Sequence, residues 1–215
     1  MTEDMQQTHD EQRVQAAWGR IEGWLRTYAA PSAASLRPGA TDEQIAAAET
    51  GMGHRLPPTL RAWYRLHDGA GNASSGGATF LPGGYWWLPL EAVRMQYEQQ
   101  TEDGYRAPGM IPFAADSTDY YFGHYSDARE GTSSYGNLGT WAVEYDNEAF
   151  PDDPGWPLPD WLEATASALE ERRGLRFPNG CEDARSQPVV EEGGWLAWID
   201  PADGFKEGMR WLRDL

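Results

Sequence analysis

The chain has 215 residues, with 34 acidic and 17 basic side chains and a formal net charge of −17. A 40% hydrophobic and 13% aromatic content excludes a disordered chain, and the length suffices for one domain with a sizeable core. The charge speaks against nucleic acid as a partner, since phosphates would repel it, and no apolar run approaches the roughly 20 residues that span a bilayer.

Residues 1–13, polar and acidic, read as a disordered N-terminus without the basic and apolar regions of a signal peptide. Val14, Trp18, Ile21, Trp24, Leu25 and Tyr28 form a helical stripe, followed by a linker over 29–40. Thr41 is an N-cap with Gln44 completing a capping box, and Ile45, Ala48 and Met52 share one face of that helix. Gly51 and Gly53 close it. Pro57–Pro58 start a second helix carrying Leu60, Trp63, Tyr64 and His67, which ends in a turn at Asp68–Gly69. His67 is expected to pack there and bond to backbone.

A Gly/Ser/Ala loop covers 70–79, and short extended segments at Phe80–Leu81 and Tyr85–Trp87 flank a Pro-Gly-Gly turn. Pro89 opens a helix to about Gln100, with Leu90, Val93 and Tyr97 on one face. Met110–Ala114 and Tyr120–Tyr125 read as strands, and Thr140–Tyr145 as a half-buried strand in which Trp141, Val143 and Tyr145 alternate. Residues 146–159 read as a loop, and Asp160 with Glu163 as the capping box of a helix. Beyond Gly174, residues 175–190 look irregular. Trp195–Ile199 reads as a strand, Asp200–Pro201 as a turn, and Phe205, Met209 and Leu212 as the stripe of a last helix. The expected organisation is one domain over 14–174 with an extension, 175–215, packed on it, because some forty residues are few for a separate core.

Ile45 to Glu49, the Leu56–Pro57 step and Asp68–Gly69, followed by Leu88–Pro89–Leu90 and by Ile111–Pro112–Phe113 with Asp116, come in a specific order. In this order the chain resembles the SUKH superfamily, which includes the fungal Smi/Knr-type cell-wall assembly regulators and many bacterial toxin-immunity proteins. The resemblance covers roughly residues 18–173. It implies a non-enzymatic binding protein, most concretely an immunity protein that neutralises a toxin, with a cell-wall regulator type of scaffold as the alternative. The fold expected is α+β, a twisted, largely antiparallel sheet with helices packed on one side.

The residues themselves supply little catalytic chemistry. There is no P-loop, no G-x-S-x-G elbow and no dinucleotide fingerprint. His9, His54, His67 and His124 lack metal-ligand spacing. Asp146, Glu148, Asp152 and Asp153 do not follow a calcium-loop pattern, and Glu144 with Asp146 has no sugar-binding frame around it. Cys181, the single cysteine, lies among carboxylates that disfavour a thiolate and fits a reducing, cytoplasmic setting. No catalytic residue, metal or cofactor is expected.

Charge is the stronger signal. Residues 107–171 carry 13 acids against one base, Arg129, so −12 of the −17 lies in that stretch. The expected working surface is therefore a negative face for a basic protein such as a nuclease toxin. Its acids are Asp116, Asp119, Glu144, Asp146, Glu148, Asp152 and Asp153, and Trp86, Trp87, Tyr121 and Trp141 are its aromatic anchors.

Overall fold

The computed structural model describes residues 2–71, 77–105, 107–116, 122–142, 145–150, 154–183, 186–203 and 209–212. Helix α1 (Thr2–Tyr28) starts well before Val14, so the polar segment expected to fray is helical. Pairs at i and i+4, Gln6 to Asp10 and Gln7 to Glu11, support that exposed stretch. Its buried stripe begins at Val14 and includes Trp18, Ile21, Trp24 and Leu25, whereas Tyr28 lies 42% exposed beside Trp24. The expected linker contains a short helix, α2 (Ala30–Ala34), with proline in its first turn.

Helix α3 (Asp42–Met52) has the reciprocal capping box of Thr41 and Gln44, and Gly53 ends it in the left-handed conformation. The Glu49 carboxylate accepts the Leu56 N–H at 2.9 Å and pairs with Arg61, which fixes the step into α4 (Pro58–Leu66). His67 follows α4 in an extended conformation, its Nδ1 2.6 Å from the Arg37 carbonyl.

Helix α5 (Leu90–Glu102) begins after Pro89, which has no side chain able to cap it. The cap comes from Asp68. Its Oδ1 accepts the Leu90 N–H at 2.8 Å, and its Oδ2 lies 3.0 Å from Arg37 Nη2. Burial pushes the Asp68 pKa up, opposed by the Leu90 N–H and the Arg37 charge. Asp68→Ala, which strands the Leu90 N–H, is expected to cost about 1–3 kcal/mol in denaturant unfolding, and Asp68→Asn, which keeps an acceptor, less.

The main sheet is antiparallel, in the order β1 (Trp86–Trp87), β2 (Met110–Ala115), β3 (Phe122–Asp127), β4 (Asn137–Ala142) and β5 (Tyr145–Ala149), and β6 (Trp156–Pro157) pairs with β4 beyond β5. Strand β5 replaces the start of the expected loop. The alternation read through Trp141, Val143 and Tyr145 is broken because the chain doubles back, pairing Ala142 with Tyr145. On one face, Phe113 of β2 meets Trp63 of α4 and Trp161 of α6 (Leu158–Glu170) edge-on, with centroids 5.8 and 6.0 Å away. Helix α1 packs in turn across α4 and α6. The α+β architecture with an antiparallel sheet is thus as expected.

The chain after α6 forms a three-stranded antiparallel sheet, with β7 (Gln187–Val190) between β8 (Leu196–Ile199) and β9 (Arg210–Trp211). Strand β7 lies in the segment expected to be irregular. The expected last helix is corrected at Arg210–Trp211, which pair with Val190 and Val189 because β7 offers a second edge that suits an aromatic residue; Phe205 lies outside the described residues. Leu175, Val190, Leu196, Trp198 and Leu212 join the same core as the helices. Trp198 Nε1 donates to the Phe80 carbonyl at 2.7 Å, and the Leu196 N–H to Ser32 Oγ at 3.0 Å.

Candidate docking surface

The predicted aromatic anchors divide sharply. Trp86, Trp87 and Trp141 are only 7%, 0% and 3% exposed, so they are packing residues and not anchors. Trp87 stacks on Trp63 with centroids 4.1 Å apart, and Trp86 Nε1 donates to the Ala70 carbonyl. Trp141 lies across its strand partner Gly123, where a Cβ would fall 2.8 Å from the indole, so the glycine makes room for the ring. Tyr121 lies outside the described residues. Among the described residues of this region, the exposed aromatic is Phe122, at 50%. Sequence reading missed it, because alternation in the Tyr120–Tyr125 run gives two faces without saying which end projects beyond the helices.

The acidic residues divide as well. Asp116 closes β2. Its N–H donates to the Phe122 carbonyl at 3.0 Å and its Oδ1 accepts the Phe122 N–H at 3.1 Å, so the backbone presenting Phe122 is held on both sides. Glu148 is exposed on β5, opposite Thr140. Asp146 also lies in β5, while Asp119, Glu144, Asp152 and Asp153 fall outside the described residues.

Among the described residues, five of the 13 acids have cationic partners. Arg13 of α1 makes two 2.8 Å bonds to the Glu163 carboxylate and also reaches Asp160, and these partners push its pKa up against burial. Asp160 and Glu163 therefore do not form the expected capping box; α6 starts earlier, at Leu158 after Pro157, and both side chains turn to α1. Arg20 holds Glu170 below the usual carboxylate range, and Arg173 does so for Glu171. Burial alone would raise the Asp127 pKa, but bonds from Arg129 and Ser134 outweigh it and lower it. The acids of α6, and Glu171 just after it, are thus engaged by arginines of α1 and of the chain that follows α6.

A pocket of about 230 Å³ lies elsewhere, between α3 and the start of α5, edged by Arg37, Gln44, Asp68, Glu91 and Arg94. Its arginines are paired, Arg37 with Asp68 and Arg94 with Glu98. Among the described residues, no three His, Cys, Asp or Glu side chains gather as a metal cluster would require, and no helix is long and apolar enough to cross a membrane.

Residues 39–163 match the family model described as the SMI1 / KNR4 family (SUKH-1). The chain belongs to the SUKH-1 family. No curated protein matches it. SUKH-1 membership makes it a protein-binding module of the immunity or regulatory type. In this member the matching motif residues act as cap, step and turn: Glu49 bonds Leu56, and Asp68 caps α5. The matched segment opens just before α3 and ends inside α6; α1 and the β7–β9 sheet lie outside it and share its core.

Proposed function

We propose that this SUKH-1 protein is a cytoplasmic, non-enzymatic immunity protein that neutralises a basic toxin, a nuclease being the concrete case, by occluding its active surface. The observation that carries this reading is the −12 of charge between residues 107 and 171. Phe122 is the anchor. A half-exposed ring on a strand end held by Asp116 is pre-organised for burial in a partner, and an acidic surface there would select a cationic rim. Asp119, Tyr121, Glu144, Asp146, Glu148, Asp152 and Asp153 complete the proposed surface. A regulatory scaffold of the cell-wall assembly type is the second reading, supported by membership of the SMI1 / KNR4 family, a resemblance that includes regulators of that type.

The test is binding to a purified candidate basic toxin, followed by stopped-flow at low and high salt. Electrostatic docking predicts an on-rate that falls by about tenfold or more between roughly 20 and 200 mM salt, with a smaller change in off-rate. A salt-independent on-rate, or no complex, would count against the immunity reading.

A further inference from the structure

His124 sits at the centre of the sheet, 3% exposed, in a box of aromatic rings. Tyr85 from the segment before β1 meets it at 5.0 Å, Phe113 of β2 at 6.1 Å, Phe150 after β5 at 4.7 Å and Trp161 of α6 at 5.9 Å. The Gly139 backbone of β4 bonds the ring, while Nδ1 has no hydrogen-bond partner. Among these described ring neighbours only Tyr85 carries an ionisable side chain, and none is a carboxylate that could receive an imidazolium. Burial therefore dominates, and lowers the His124 pKa to about 4.

The walls of the box differ in strength. Phe113 and Trp161 are fully buried, held by the core behind them. Phe150 is only partly buried and belongs to the edge of the sheet. Its N–H donates to the Leu138 carbonyl at 3.0 Å, its carbonyl accepts the Trp156 N–H at 2.6 Å, and its ring packs on Trp156 and Phe177. It is thus the pin that joins β5, β6 and the chain after α6, and the wall that yields at least cost when the imidazole must reach water.

We propose that His124 is an acid-sensitive latch: the neutral ring seats Phe150, and protonation releases Phe150 and Trp156 from the sheet while the helical core stays folded. The sign follows from linkage. The open form takes up a proton near the ordinary histidine value of 6.5, whereas the closed form resists until about 4, so falling pH favours the open form. Between pH 7 and pH 5 these two values give an opening equilibrium raised about 20-fold.

The experiment is hydrogen exchange of the full chain, read by mass spectrometry at pH 7 and pH 5 and corrected for intrinsic rates. The latch predicts the 20-fold loss of protection in peptides containing Phe150 and Trp156, with α1, α4 and α6 unchanged. His124→Phe, which keeps a ring and removes the titration, should abolish the step. Should that variant not fold, Phe150→Ala serves instead. It should show raised exchange already at pH 7 and no further step at pH 5. A wild-type chain with no step, a step that survives in either variant, or equal loss across the helices would each overturn the latch.

Discussion

Trp63→Ala is expected to lower the unfolding free energy by about 3–5 kcal/mol, the largest effect of any truncation in this fold. Trp63 is fully buried and stacks on Trp87 at 4.1 Å. It meets Trp18, Phe113 and Trp161 edge-on at 5.4, 5.8 and 6.2 Å. Those rings come from α1, β1, β2 and α6, so one side chain joins four elements, and rigid neighbours on every side cannot close the space it would leave. Its Nε1 has no hydrogen-bond acceptor, so Trp63→Phe sacrifices volume without a bond and should cost roughly 1–2 kcal/mol. Urea unfolding monitored by far-UV circular dichroism checks both. Equal costs for the two variants would mean that the site collapses around the missing ring.

Gly69→Ala is the second large effect, at about 2–4 kcal/mol. Two separate costs add at this position. The backbone is left-handed at φ +68, and a Cβ would lie 2.6 Å from the Pro89 nitrogen and 2.7 Å from the Leu88 carbonyl carbon, both backbone atoms that cannot move aside. Gly53→Ala separates the two. It has nearly the same φ, +70, but nothing within 4 Å of the added carbon, so about 1 kcal/mol of conformational strain remains alone. The difference between the variants in thermal or denaturant unfolding measures the collision. If both cost the same, the turn after α4 is free to shift away from α5, contrary to the close contact at Leu88–Pro89.

The contrast between these glycines and the missed elements shows which signals are local. Thr41 with Gln44, Gly53, Pro58 and Pro89 announce helix ends through chemistry within a few residues, and each end stands where that chemistry puts it. Asp160 and Glu163 carry the same kind of signal, yet their carboxylates go to Arg13, nearly 150 residues away in the chain. A linear window around α6 counts those acids as free because α1 lies outside it. The aromatic anchors failed for a related reason: type and spacing reveal that Trp86, Trp87 and Trp141 are apolar, but not which of them the helices and glycines will cover. Strands β5 and β7 pair with their chain neighbours β4 and β8, and β9 takes the second edge of β7, some twenty residues away, a pairing that no local window shows. Of the proposed surface, the charge that suggests it is legible in the sequence; the exposure of Phe122 is not.

Arg13 and Arg20 carry one further consequence. They belong to α1, outside the segment that matches the family, and they hold Glu163, Asp160 and Glu170 of α6 while Val14 and Trp18 fill the core beneath. A fragment cut at residues 39 and 163 would sever α6 midway and uncover Trp63 and Trp87, leaving an apolar gash where α1 had lain. The segment that the family model matches is thus shorter than what this chain needs to stand up, and a partner or a protease that pried α1 loose would disable the whole molecule without touching its acidic face.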